Sequence, residues 1–312
     1  MDTIAVILKA PEGLVLSRLS LTPPGDEDIV VAVEWSGIST GTERLLWSGR
    51  MPHFPGMGYP LVPGYESVGR VIAAGPSAGR APGERVFVPG ARCFGDVRGL
   101  FGGAAARLVV PGRRTTPIGE AIGAEGVLLA LAATAWHAMH APNAAPPDLI
   151  VGHGALGRLL ARIALLAGAT PVVWERDVTR HAGAEGYVVL DPDRDERRDY
   201  RSIYDVSGDA GILDALVQRL APGGEIVLAG FYADRIGFAF APAFMREARI
   251  RIAAEWQEPD LAAVRALILD GRLSLAGLVT HRESATRAPE AYARAFTDPA
   301  CLKMVLDWRE CS

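Results

Sequence analysis

Gly152-His153-Gly154-Ala155-Leu156-Gly157 is the segment that most narrows what this 312-residue chain can fold into. It matches G-x-G-x-x-G, follows the apolar run Asp148-Leu149-Ile150-Val151 and opens an amphipathic stretch, Leu156–Leu166. Strand, tight turn and helix thus come in the order that dinucleotide binding requires. Gly152 allows the turn, Gly154 lets a pyrophosphate approach the backbone, and Gly157 lets helix and strand pack closely. The helix start then offers unpaired N–H groups and a positive dipole end to phosphates. A glycine-rich turn in some other parallel α/β domain would look similar, but the next apolar run, Pro171–Trp174, ends in an acid. That acid, Glu175, lies 18 residues beyond Gly157, near the expected spacing of about 20. Its carboxylate can accept both ribose hydroxyls and repels a 2′-phosphate, so NAD is the expected cofactor. Arg176 dissents, because it can pair with that phosphate or stack on the adenine. His153 fills a variable position, where it can sit near the pyrophosphate or be only a tolerated side chain. Later apolar runs end in Ser207-Gly208 and Gly230-Phe231-Tyr232. These are candidates for lining the nicotinamide site, since ligands of parallel sheets lie beyond the strands' carboxyl ends.

The rest of the chain sorts into two textures. Residues 1–118 are rich in Gly, Pro and Val, with short β-like runs at Thr3–Leu8, Asp28–Trp35, Ser67–Ala73, Arg85–Val88 and Arg107–Val110. From 119 to 256 strands and helices alternate, the pattern of a doubly wound parallel sheet. Residues 257–312 read as a return to the first domain. Net charge is −4 with no basic block, which disfavours a nucleic-acid partner. Three scattered cysteines, Cys93, Cys301 and Cys311, make neither a disulfide framework nor a zinc lobe and fit a reducing cytoplasm. The opening residues lack the basic and apolar regions of a signal peptide.

The stretch Ser36–Ala74 reads SGISTGTERLLWSGRMPHFPGMGYPLVPGYESVGRVIAA. It resembles the active-site segment of a medium-chain alcohol dehydrogenase whose zinc ligands have been replaced. That resemblance implies an α/β protein with a GroES-like β-rich catalytic domain and a Rossmann domain. A cysteine is expected after Gly37-Ile38, where Ser39 and Thr40 stand. A histidine is expected before Glu66, where Tyr65 stands. Hydroxyls are poor zinc ligands beside thiolate and imidazole. The stretch expected to hold the third ligand, near Val127–His137, is apolar up to Thr134. A set drawn from His53, His137 and Glu66 has no recognised spacing. The expectation is therefore no metal.

Oxidising an alcohol removes a hydride from carbon and a proton from oxygen. Without a Lewis acid, protein groups or water must take the proton. Thr42 matches the family's relay hydroxyl, and Tyr65 can hold the substrate oxygen or pass a proton, or merely fill the space left by zinc. Glu66 can orient either one or form a buried ion pair. His53 and His137 are bases by pKa, but nothing in the sequence shows them facing a site.

A closer resemblance spans nearly the whole chain. The run STGTERLLWSGRMPHFPGMGYPLVPGYESVGRV, with LFGGAAARLVVP and DLIVGHGALGRLLARI, resembles the bacteriochlorophyllide a dehydrogenases of bacteriochlorophyll biosynthesis. That family implies NAD-dependent oxidation of a 3-(1-hydroxyethyl) group to 3-acetyl. It also implies a cytoplasmic protein of a phototroph, a homodimer, and proximity to the membrane or to other pigment-synthesis enzymes. Substrate contacts are expected from Ser39, Thr40, Arg44, Trp47, Arg50, His53, Phe54, Tyr59 and His137. The segment Trp47–Tyr59 suits a flat apolar macrocycle, with Arg44 and Arg50 for a propionate. It equally suits a rigid loop with its own aromatic core. Two alternatives stand beside this function: a zinc-free quinone or enoyl reductase, and an inactive nucleotide-binding scaffold.

Overall fold

The computed structural model describes residues 1–53 and 56–311. The chain opens with strands β1 (Asp2–Leu8), β2 (Leu14–Ser20) and β3 (Asp28–Ile38), then helix α1 (Thr42–Ser48). Strands β4 (Leu61–Val62), β5 (Ser67–Ala74), β6 (Arg85–Val88), β7 (Arg98–Gly99), β8 (Arg107–Pro111) and β9 (Thr116–Pro117) follow. Helix α2 (Leu129–Met139) leads into a second series. It contains β10 (Leu149–Val151), α3 (Ala155–Leu166), β11 (Val172–Trp174), β12 (Val188–Leu190) and β13 (Tyr200–Asp205). It continues through α4 (Leu213–Arg219), β14 (Leu220–Leu228), α5 (Phe240–Met245), β15 (Arg249–Ile252) and α6 (Glu258–Leu269). The chain ends with β16 (His281–Ser284), α7 (Ala288–Thr297) and β17 (Met304–Asp307).

Two compact units result: 1–130 with 276–312, and 131–275. The sequence reading set these divisions at 118 and 256. The first boundary moves because the 3-10 turn Ala124–Leu128 belongs to the first unit. A side chain at Gly126 would meet Val68 and Ile118 there. The second moves because α6 is tied into the other unit, where Leu261, Val264 and Leu267 are buried.

In the first unit β3 is the spine. Among the described residues one sheet runs β16-β17-β3-β5-β6-β9, with β8 also on β3, and a smaller one runs β2-β1-β4-β7. The late strand β17 lies antiparallel to β3, Met304 facing Ile38 and Asp307 facing Trp35. Trp308 follows it into the core and donates its indole N–H to Ser36 Oγ at 2.8 Å. Val6, Ile29, Val31, Val86, Leu108, Tyr292 and Leu306 are among the buried side chains of that core.

The second unit holds a six-stranded sheet in the order β12-β11-β10-β13-β14-β15, each pairing parallel. Strand order therefore reverses between β10 and β13, the switch point where such sheets bind nucleotides. Leu149, Val151, Ile203, Leu216 and Ile226 fill the core. The usual crossover helix between β11 and β12 is here only the 3-10 turn Val178–Arg180. No helix among the described residues is long and apolar enough to cross a membrane.

Candidate active site

In the second unit the three fingerprint glycines divide their work as their surroundings require. Gly152 has φ +104°, a left-handed conformation that disfavours a side chain. A methyl group on Gly157 would stand 1.9 Å from the Gly152 carbonyl oxygen, so only glycine lets α3 start this close to β10. Around Gly154 no atom lies within 4 Å of such a methyl, which leaves its backbone open to a ligand. The residues present fit a dinucleotide: an open glycine face, a helix start at Ala155 and an acid at the next strand end.

That acid is held in place. Glu175 Oε2 accepts the His153 N–H at 3.1 Å and Oε1 accepts the Asp177 N–H at 3.0 Å. Each oxygen retains lone pairs for a ribose hydroxyl. Arg176 beside it is exposed. The loops carrying Ser207 and Gly230 meet the first one. A side chain on Gly152 would lie 3.4 Å from the Ser207 nitrogen, and one on Gly230 would lie 3.3 Å from the Gly208 nitrogen. Phe231 is 46% exposed at the same strand ends. Leu156 lies in the first turn of α3.

Two supports were not read from the sequence. Asp205 is fully buried. It accepts the Ser207 N–H at 2.9 Å and the Tyr232 phenol at 2.7 Å, so one carboxylate anchors two of these loops. Its position at the end of a strand is the only local signal for it. The second support corrects the reading of His153. Far from being merely tolerated, its side chain is wholly buried. Nδ1 donates to the Arg180 carbonyl at 2.6 Å, which leaves Nε2 to accept the Tyr187 phenol at 2.8 Å. Burial pushes its pKa down to about 4, so the ring is neutral. Arg158, also buried, donates to the carbonyls of His153, Arg180 and Ala182. Together they bind the glycine turn to the loop after β11.

In the first unit Ser39, Thr42 and Tyr65 come together. Tyr65 donates its phenol to Ser39 Oγ at 2.7 Å and lies 3.5 Å from Thr42 Oγ1. Its ring packs edge-on against Phe101, centroids 5.0 Å apart. Burial, reinforced by the charge of Glu66, raises the Tyr65 pKa, so the phenol stays protonated and acts as a donor. Thr40 is half-buried beside Ser39.

Glu66 is committed elsewhere. It is fully buried, and both oxygens accept from Lys303 Nζ, at 2.9 and 2.7 Å. Lys303 also reaches the Ile38 carbonyl at 3.3 Å. A side chain on Gly37 would come within 2.2 Å of Glu66 Oε2, so glycine at that point of β3 makes room for the pair. Burial raises the Glu66 pKa and Lys303 opposes the rise. Of the two sequence readings of Glu66, this geometry favours the ion pair. Hydroxyls and a carboxylate already held by an ammonium do not fit zinc. Among the described residues no group of three or more His, Cys, Asp or Glu is arranged to hold a metal.

The expected substrate contacts scatter. Arg44, Arg50 and His53 are exposed, and Phe54 lies outside the described residues. Trp47 packs on Phe296, centroids 5.6 Å apart, and Tyr59 donates to the Leu46 carbonyl. Met51 is buried with Leu8, Leu46, Leu61 and Leu100, and Trp47, Met57 and Tyr59 pack on that cluster. These apolar side chains thus make a small core of their own. His137 belongs to the second unit. Its Nδ1 is 2.8 Å from Asp260 Oδ2, in the first turn of α6, so the ring joins two helices.

Residues 25–120 match the alcohol dehydrogenase GroES-like domain. A 2-desacetyl-2-hydroxyethyl bacteriochlorophyllide A dehydrogenase of Cereibacter sphaeroides is 60% identical, covering 99% of each chain. The protein so named from Rhodobacter capsulatus is 59% identical, with 99% of each chain covered. Among solved structures, a short chain alcohol dehydrogenase of Escherichia coli CFT073 complexed with NADH superposes with a TM-score of 0.83. It is 20% identical and covers 98% of this chain and 99% of its own.

Proposed function

The chain belongs to the hydroxyethyl bacteriochlorophyllide a dehydrogenases, a branch of the medium-chain alcohol dehydrogenases, and from that membership we propose that it oxidises the 3-(1-hydroxyethyl) group of bacteriochlorophyllide a to 3-acetyl, with NAD and without a catalytic metal. Identity at 60% over 99% of the chain is the observation that carries the substrate. NAD, when bound, supplies the acceptor for the hydride. The chain's own groups handle the oxygen. Ser39 Oγ and Thr42 Oγ1 lie 2.7 and 3.5 Å from the Tyr65 phenol, so the three offer donors and acceptors enough to hold an alcohol oxygen and move its proton. The carbinol carbon is attached to a conjugated ring. Positive charge developing as hydride leaves spreads into that ring, which lowers the demand for a full alkoxide.

The direct test incubates purified protein with hydroxyethyl bacteriochlorophyllide a, NAD and a chelator while the pigment's long-wavelength band is followed. A steady shift of that band is expected. No shift over many hours would favour the inactive scaffold, and loss of the shift with chelator would restore a metal.

The preference for NAD rests on Glu175, whose carboxylate two backbone N–H groups fix at the end of β11. Glu175→Ala is expected to weaken the preference for NAD over NADP by roughly tenfold, about 1.4 kcal/mol. Titration of both nucleotides reads this directly, and an unchanged ratio removes the assignment. It also speaks against a reductase of the NADPH-preferring kind. The homodimer fits the outer edge of the sheet, where β15 ends the strand order and Ile252 is 75% exposed. Phe240 and Met245 on α5, in the same unit, are 73% and 77% exposed. Light scattering giving the monomer mass of 33.1 kDa at micromolar concentration would remove the dimer.

A further inference from the structure

Glu43 is a buried acid to which the alcohol chemistry gives no task. It lies in the first turn of α1 with no exposed surface. Oε1 accepts the backbone N–H of Ser39 at 3.0 Å, and Oε2 accepts the Tyr292 phenol at 2.7 Å from α7. Ser39 is the residue whose own hydroxyl accepts Tyr65, at 2.7 Å. One carboxylate therefore fixes the backbone of the residue that anchors the phenol. The titratable groups facing it are Tyr292 on α7, Tyr65 and Glu66 just before β5, and Lys303 just before β17.

We propose that Glu43 is the positioning residue of the Ser39–Tyr65 hydroxyl pair, that it acts only as the carboxylate, and that its protonation sets the acid limb of alcohol oxidation. The geometry explains why ionisation matters. Both partners of Glu43 donate, and a carboxylate accepts from both. A proton on Oε1 would face the Ser39 N–H, donor against donor. A proton on Oε2 would oblige the Tyr292 hydroxyl to turn and accept. The first arrangement leaves the Ser39 N–H without its acceptor and frees Ser39; the second reverses the Tyr292 bond, takes from the phenol proton its present acceptor, and leaves the Ser39 N–H on a neutral carbonyl, a weaker acceptor than the carboxylate. Burial chiefly, opposed by the bonds from Tyr292 and Ser39, pushes Glu43 up to about 7, so the change falls in the neutral range.

This inference rests on the dehydrogenase reading, and its test separates the two. With saturating pigment and NAD, wild-type kcat is expected to fall as the pH drops through the region of 7. Glu43→Gln should lose that limb and show a kcat about tenfold lower at pH 8, with the KM for NAD unchanged. Tyr292→Phe removes a bond that lowers the Glu43 pKa, so it should move the limb to higher pH by about one unit. A limb at the same pH in both variants overturns the proposal. If Glu43→Gln does not fold, an unmoved limb in Tyr292→Phe overturns it alone. A readout independent of turnover is carboxyl carbon NMR of the full chain labelled in glutamate. A Glu43 midpoint below about 5.5 refutes the proposal even where the pigment is not a substrate, whereas a midpoint near 7 that rises in Tyr292→Phe supports it.

Discussion

Lys303→Met is expected to lower the stability of the first unit by about 3–5 kcal/mol, read as a lower denaturant midpoint for its unfolding. The size follows from what is left behind. Glu66 has no exposed surface, and both its oxygens take their bonds from Lys303. Without the ammonium the carboxylate must stay charged in a dry core or take up a proton there, and neither alternative recovers the bonds. The double variant Glu66→Gln with Lys303→Met should regain most of the loss, because a buried pair contributes little against neutral groups of the same shape. If the double variant also keeps pigment oxidation within about tenfold of wild type, Glu66 is confined to support. A single-variant loss under about 1 kcal/mol would contradict the buried charge pair.

Tyr65→Phe is expected to cut kcat by about 10²- to 10³-fold while the KM for the pigment changes only a few-fold. The substitution keeps the ring that packs on Phe101 and deletes only the phenol oxygen. Ser39 Oγ then loses its donor, and in the mechanism proposed above the alcohol oxygen loses a hydroxyl partner as hydride departs. Binding of a large macrocycle draws on many other contacts, so the loss should concentrate in kcat. Steady-state kinetics on the pigment decides. A kcat within about threefold of wild type would return Tyr65 to filling space.

The sequence was legible where chemistry is local. The motif Gly152–Gly157, between β10 and the first turn of α3, occupies six consecutive positions whose roles are backbone geometry, and β6 lies at Arg85–Val88, where its apolar run places it. The substitutions at Ser39, Thr40 and Tyr65 were also readable, because they interrupt a recognisable run. The groups that complete the hydroxyl site were not. Tyr292 lies 249 residues from Glu43, and Lys303 lies 237 from Glu66, separations that leave no periodic trace. One compositional hint existed for Lys303. The chain has only two lysines, Lys9 and Lys303, and otherwise uses arginine. A compact ammonium suits a site that must serve one carboxylate and a carbonyl at close range. The apolar segment Trp47–Tyr59 left two readings open, a pigment surface and a loop with its own aromatic core, for a different reason. Aromatic and methionine side chains have the same composition whether they face a pigment or one another, and Trp47, Met51, Met57 and Tyr59 pack with their neighbours.

The position of β17 beside β3 has a bearing on how the molecule is made. Ribosomes deliver residues in order, and the second unit, a continuous segment, is complete well before Met304 emerges. Until then β3 has no neighbour beside Trp35–Ile38 on the flank it shares with β8, and Glu66 lacks the ammonium of Lys303. The second unit can therefore mature during translation before the first unit receives β17. A chain that stopped before β17 would lack both the strand beside Trp35–Ile38 and the lysine that holds Glu66.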